Sequence, residues 1–395
     1  MKKILFFFPD NVGKQTAGNK TRAIYLLKYF KQKGFKVDFV SLKHEKTDQH
    51  TEQETIDLLK KNSLADDVFL LPRKPRKGNL LAYFIRYKIR DLCYHWLTYP
   101  IRSNIPAFLT IRLKQAFEHI LKNNNYDYVI ISYVQCAGLV SNKKLLKNAK
   151  TIVDTHDFIT AQFKDKRRFN LGVTFEDEIN RLGHFDEIWA ISMAEQYIFN
   201  QFCKSQVRLV PLMLDIPDIK LKPFNERKYD LIYVASDNIH NINSSKWFFE
   251  EVYPLLPPDI NMCVVGKINN YIDEKHKIER ITFAEDLNQY YNNARVVICP
   301  MLTGTGVKVK VIEALAFGLP VVCTPRGVDG LPDKHQNGCM VSDDPAIFTQ
   351  NIEALLNDKA LYDLQSKFAR ALFDSSFSKE IIFEELDRAF EINVS

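Results

Sequence analysis

The chain has 395 residues, of which 46% are apolar and 26% charged, with a formal net charge of +6. That length exceeds one ordinary core and calls for two domains, and the composition excludes a disordered chain. No apolar run nears the ~20 residues needed to cross a bilayer, and the opening MKKILFFFPD stops at Pro9-Asp10, short of the ~7–15 residues of a signal core.

The charge is uneven along the chain. Residues 1–215 carry 35 Lys and Arg against 22 Asp and Glu, a net +13, whereas the remainder carries 19 against 26, a net −7. The basic half is expected to meet something anionic. Seven cysteines, odd in number and without CxxC spacing, read as core thiols in a reducing compartment, the cytoplasm.

In chain order, KILFFF (3–8) reads as a strand, GNKTRAIYLLKYF (18–30) as a helix and KVDFVSL (36–42) as a second strand. The rhythm recurs in YDYVIIS (126–132), KTIVDTHD (150–157), FDEIWAIS (185–192) and VRLVPL (207–212). A Pro-rich, unperiodic linker follows near 211–228. The rhythm restarts with YDLIYVAS (229–236), INMCVVG (260–266), ARVVICP (294–300) and LPVVCTP (319–325), and SKEIIFEELDRAFEI (378–392) reads as a final amphipathic helix. Doubly apolar strands alternating with helices indicate parallel sheets. The fold expected is α/β, two Rossmann-like doubly wound domains facing across a cleft: residues 1–212, residues 213–375, and a carboxy-terminal helix at 376–395 packing back on the first domain. Ligands of such sheets bind at the carboxyl ends of strands.

One stretch carries most of the chemistry, GTGVKVKVIEALAFGLPVV (304–322). A strand feeds the loop MLTGTG, and VKVKVIEALAF then reads as a helix ending at Gly318. Exposed amides and the helix dipole favour an anion at that helix start, and Gly304 and Gly306 permit close approach. At 100° per residue, Gly306, Lys310, Glu313 and Phe317 share one stripe. A lysine suits phosphate and a carboxylate suits a vicinal diol, so phosphate followed by ribose suggests a nucleotide diphosphate. The alternative is a capped helix with a Lys–Glu surface pair worth about 0.3–0.5 kcal/mol. Neither a Walker A motif nor GxGxxG is present.

Other candidates are weaker. Asp154, His156 and Asp157 in DTHD are all ligand types, but an extended segment lets at most two converge, so no metal is expected; His156 either caps a strand end or touches substrate. Ser132, Ser192 and Thr324 complete no hydrolase triad. Residues 73–103 hold eight Lys and Arg against one Asp, with Leu81, Phe84, Ile85, Leu92 and Trp96 near one face. They read either as a peripheral contact with an anionic membrane or as an amphipathic helix packed on the first domain. No nucleic-acid motif accompanies them.

The 304–322 stretch resembles the donor segment of retaining GT-B glycosyltransferases, the large family 4, or glycosyl transferases group 1. PDNVGKQTAGNKTR (9–22) is similar to the family's first glycine loop, DTHDF (154–158) to its histidine–aspartate segment, and ASDNIHNINSSKWFFEEVYPLL (235–256) to the start of its carboxy-terminal domain. The resemblance covers most of the chain, is strongest over 281–330 and is diffuse over 43–125. It implies a nucleotide-sugar held in the second domain, with Gly304, Thr305, Gly306, Val307, Lys308 and Lys310 around the diphosphate and Glu313 at the ribose. Ser236, His240 and Asn241 stand where relatives grip phosphate, with Lys267 after Gly266 adding a charge. Gly266, Phe283 and Glu285 flank the base. Gly18, Asn19 and Arg22 are placed at the cleft by the same resemblance, and His156 and Asp157 near the acceptor. Lys310, Glu313, His156 and Asp157 form the implied catalytic set.

Two departures stand out. Thr305 occupies the place of the family's first glutamate, as in a subgroup that carries GxG and a lysine three before the retained glutamate. Ser132 stands where many relatives have histidine. The implied activity is metal-independent, retaining hexosyl transfer from a UDP- or GDP-linked sugar, a co-substrate with no further cofactor. The implied acceptor is a glycan or lipid-linked molecule of bacterial cell-surface polysaccharide synthesis. The implied location is the cytoplasm, peripheral on the inner membrane face. A nucleotide-sugar 2-epimerase and a non-hydrolytic partner subunit are the alternatives.

Overall fold

The computed structural model describes residues 1–13, 18–43, 49–74, 79–98, 101, 103–106, 108–214, 221–304 and 306–392. The chain divides into two units, Met1–Val210 and Pro211–Ser395; the final helix Lys379–Ala389 follows the helix Lys359–Ser376 within the second.

The first unit holds seven strands: β1 (Lys3–Phe7), β2 (Lys36–Lys43), β3 (Asp67–Pro72), β4 (Tyr128–Ser132), β5 (Lys150–Asp154), β6 (Glu187–Ala190) and β7 (Gln206–Leu209). Their order is β3-β2-β1-β4-β5-β6-β7, and every pairing is parallel. The strands are apolar on both faces because helices cover both. Phe7 illustrates this: it is fully buried and meets Phe117 of the Ile111–Asn123 helix edge-to-face at 6.0 Å. The helix Gly18–Gln32 turns Ala23, Leu26, Leu27 and Phe30 inward.

The second unit holds β8 (Tyr229–Val234), β9 (Met262–Val265), β10 (Glu279–Ile281), β11 (Ala294–Cys299), β12 (Val321–Cys323) and β13 (Cys339–Val341), in the order β10-β9-β8-β11-β12-β13 and all parallel. Each sheet therefore grows in both directions from a central pair, β1 and β4 in one, β8 and β11 in the other. At such a pair the outgoing connections part to opposite faces, and a crevice opens beyond the carboxyl ends.

Three strands, β3, β10 and β13, have no counterpart in the sequence reading. The helix read over 307–317 is shorter: it spans Val309–Ala316, with Lys308 in an extended conformation (φ −91°, ψ 105°) as its N-cap. The glycine loop continues through Lys308, whose ammonium turns back to the Gly306 carbonyl at 2.6 Å. Residues 80–98 form one helical run in three segments, Leu80–Tyr83, a π-helical Phe84–Lys88, and Ile89–Thr98. No helix of the described residues is long and apolar enough to cross a membrane.

Gly266 ends β9 with φ 117°, and a Cβ there would sit 2.1 Å from the Ala235 carbonyl oxygen. This contact closes the ends of β8 and β9 together. Gly266→Ala is expected to cost roughly 2–4 kcal/mol, strain and overlap combined, read as a lowered urea midpoint at an unchanged m-value.

Candidate functional site

The carboxyl ends of β8 and β11 carry the side chains singled out in the second unit. After β8, Ser236 and Asn238 lead into the helix Ile239–Trp247, which Asn238 caps by accepting from the Asn241 amide at 2.9 Å. The Asn241 side chain is nearly buried; its amide group donates to the Ser236 carbonyl (3.0 Å) and hydroxyl (3.1 Å). That fixes the amide's orientation and aims its Oδ1 at Lys310, whose Nζ donates to it at 3.1 Å. After β11, the loop is tied to the same helix twice. The Leu302 amide donates to the Ser244 hydroxyl (3.1 Å), and His240 Nδ1 pairs with the Thr303 hydroxyl (2.8 Å). Gly304 has φ 94°, and a Cβ there would lie 3.5 Å from the His240 ring, so a bare backbone passes over an exposed imidazole.

Lys310 and Glu313 lie one turn apart on the Val309–Ala316 helix, whose amino-terminal amides receive no side-chain cap. Lys310 Nζ sits 5.0 Å above the Tyr233 ring, a cation–π geometry. Desolvation lowers its pKa, against the opposing pull of Cys299 and Glu313. Desolvation also raises the Glu313 pKa, offset in part by the Tyr291 hydroxyl, which donates to Oε2 at 2.7 Å, and by Lys310. Tyr291 is itself buried and stacks on Phe317 at 5.3 Å. The site thus holds a cation and an anion, each short of solvation, beside uncapped amides. An anion placed against Lys310 and the helix start relieves the first deficit, and hydroxyl donors on Glu313 relieve the second.

The other residues singled out in this unit divide. Lys308 is nearly buried and Val307 partly so, while Lys267, Phe283 and Glu285 are exposed beyond β9 and β10. Gly266 is used structurally. Thr305 lies outside the described residues.

In the first unit a cavity of about 720 Å³ opens beyond the ends of β1 and β4, lined among others by Asp10, Asn19, Lys43, Arg73, Tyr133 and Asp157. Behind its wall lies a buried ionic group. Asp154, fully buried, accepts from Arg22 Nε and Nη2 at 2.8 and 2.6 Å and lies 2.9 Å from His156 Nε2. Burial alone would raise its pKa, but Arg22 and His156 outweigh that and hold it below the usual carboxylate range. His156 has φ 65° and stacks on Tyr133, φ 72°, at 4.3 Å. Asn19 in turn donates to the Tyr133 hydroxyl at 2.7 Å. Of the residues singled out here, Asn19 and Asp157 therefore face the cavity, whereas Arg22 and His156 support Tyr133 from behind. Gly18 opens the first helix, and Ser132 is fully buried. Among the described residues no group of three or more His, Cys, Asp or Glu gathers as metal ligands.

Sequence reasoning did not find Tyr133, Tyr233, Tyr291, Ser244 or Thr303. None stands in a spacing motif; each acts through a partner 22 to 77 positions away, by hydrogen bond, cation–π contact or ring stacking.

Residues 228–358 match the family model "Glycosyl transferases group 1". A 44.6 kDa protein in the cps region of Klebsiella pneumoniae is 24% identical over 278 residues, 62% of this chain and 69% of that protein. The capsular polysaccharide biosynthesis glycosyltransferase CapM of Staphylococcus aureus is 28% identical over 146 residues, 33% of this chain and 38% of its own. The solved structure of Anabaena HepE in complex with UDP-glucose superposes with a TM-score of 0.66 at 14% identity, covering 99% of this chain and 100% of that one.

Two buried glutamates underlie the 156–160 turn. Glu178 accepts from the amides of Ile159 (2.8 Å) and Thr160 (2.7 Å), and burial pushes its pKa up to about 7. Burial, then Asp157, pushes Glu195 up to about 8. A carboxyl whose folded pKa is raised binds more protons folded than unfolded, so stability falls as pH rises from about 4.5 through the raised values. Glu195→Gln is expected to flatten that decline up to about pH 8 and to be more stable than the parent at pH 8, measured by urea unfolding across pH.

Proposed function

We propose that this chain, whose second unit is a glycosyl transferases group 1 domain in a GT-B fold, transfers a hexose from a UDP- or GDP-linked sugar, with retention of configuration and without a metal. The acceptor is a glycan or lipid-linked molecule of cell-surface polysaccharide synthesis. The observation that carries the reading is the partly buried Lys310 ammonium, fixed by Asn241 and Tyr233 at the uncapped helix start, with Glu313 one turn on. A diphosphate and a ribose diol match that pair in charge, order and reach. The family match of residues 228–358 and the polysaccharide role in CapM's name support the substrate class. UDP-glucose in HepE supports the donor type.

In the reaction the anomeric carbon–phosphate oxygen bond breaks while the acceptor oxygen bonds to the same face. The acceptor's proton passes to the departing phosphate oxygen. Negative charge grows on the diphosphate, where Lys310 and the loop amides already point, and a preorganised donor set stabilises it without reorganisation. Glu313 holds the ribose, and Tyr291 holds Glu313. The first-unit cavity, with Asp157, Asn19 and Tyr133 on its wall, takes the acceptor.

A panel of nucleotide-sugars tests the reading. Transfer, or slow hydrolysis, of one donor with the α- or β-anomer kept by NMR supports it. Epimerised nucleotide-sugar without acceptor indicates a 2-epimerase, and nucleotide binding without turnover indicates a partner subunit. Lys310→Ala is expected to slow kcat by about two to three orders of magnitude, as for loss of one oxyanion donor. In Tyr291→Phe the Glu313 pKa rises further, so the acid limb of kcat/KM moves to higher pH and donor KM rises more than kcat falls.

A further inference from the structure

The helical run Leu80–Thr98 rests on the first unit through one face. Tyr87 is buried, Tyr94 packs on the main core, and the Asp91 carboxylate accepts from the Ile111 amide at 2.9 Å, capping the next helix. The opposite face is apolar and open to solvent. Leu80, Leu81, Leu92, Trp96 and Leu97 are each about two-thirds or more exposed, and Phe84, Ile85 and Ile89 are about half exposed. Scattered exposed apolar residues are ordinary, but eight on one helix form a contiguous patch that water disfavours.

We propose that this face docks on the surface of an anionic lipid bilayer. Arg86, Lys88 and Arg90 are exposed beside the patch, and the single acid of the run, Asp91, is turned to Ile111. Long basic stems lie along an apolar surface while their heads meet lipid phosphates. A helix of this kind lies in the interface plane, its apolar face about 5–10 Å deep. The charge also argues against a second copy as occupant, because an isologous contact would set these three cations against their own equivalents. The net +13 of residues 1–215 adds attraction of the same sign. Docking is independent of sugar transfer and stands or falls apart from it.

Trp96 is a built-in probe, since the other two tryptophans are Trp189, fully buried, and Trp247, on the second unit. The full chain is mixed with phosphatidylcholine vesicles, with or without about a third phosphatidylglycerol. Sedimentation with the anionic vesicles is expected, together with a blue shift quenched by acyl-brominated lipid and absent in Trp96→Phe. Phe84→Glu/Leu92→Glu is expected to abolish binding at an unchanged melting temperature. Arg86→Gln/Lys88→Gln/Arg90→Gln is expected to weaken it about a hundredfold and flatten its salt dependence. The proposal is overturned by no partition into either vesicle, by equal partition into both, or by partition that neither variant changes. Self-association that the Glu variant abolishes, without vesicle binding, likewise overturns it and marks the face as a contact between copies.

Discussion

A parallel sheet ends all its strands on one edge, and the connections leaving that edge must find partners for their own polar groups. Where neighbouring connections part to opposite faces, as after β8 and β11, the polar groups are left facing a gap. The second unit fills that gap with side chains that cross-brace its two loops: Ser244 to Leu302, His240 to Thr303, Asn241 to Lys310. The bracing orients the Lys310 ammonium beside a helix start that has no side-chain cap, and the same packing leaves that ammonium short of solvation. Preorganised groups short of solvation are those that gain most from an anion placed against them.

The first unit meets the same topological gap after β1 and β4 differently. There a group of charges is internal. Arg22 and Asp154 pair behind the wall with His156 against the same carboxylate, and the Tyr133 face of the cavity rests on them, beside charged groups such as Asp10, Lys43, Arg73 and Asp157. A buried ion group of this kind is a poor source of stability but holds geometry; here it seats the stacked Tyr133–His156 pair in two left-handed backbone conformations.

Much of this was legible beforehand, for a physical reason. Most of the ten strands that were read are runs such as YVIIS and MCVV, apolar on both faces because both faces are covered; the exception is the edge strand β7, QVRL, read from the longer run VRLVPL. The three that were not read, β3, β10 and β13, are edge strands. DVFLLP carries an acid and a proline, ERI is three residues with two charges, and CMV is three residues long; an edge needs no doubly apolar run. The Lys310–Glu313 pair was visible because helical spacing is local. The support of that pair was not: Tyr291 lies 22 residues before Glu313, and Arg22 lies 132 residues before Asp154. Side chains that act across such separations leave no periodic trace. Arg22, placed at the cleft by resemblance, and His156, placed near the acceptor, sit behind the surface because both are turned to the buried Asp154 carboxylate.

The π-helical turn at Phe84–Lys88 has a consequence for the open helix. Such a turn inserts one residue relative to regular winding, a rotation of about 100°. In an unbroken α-helix, at 100° per residue, Leu80 and Phe84 would point about 120–180° away from Ile89 and Trp96. The wide turn brings both halves closer into phase, so a one-residue deletion within it would split the oily stripe into two at the loss of a single side chain, and the tyrosine side that grips the domain would lose its alignment in the same stroke.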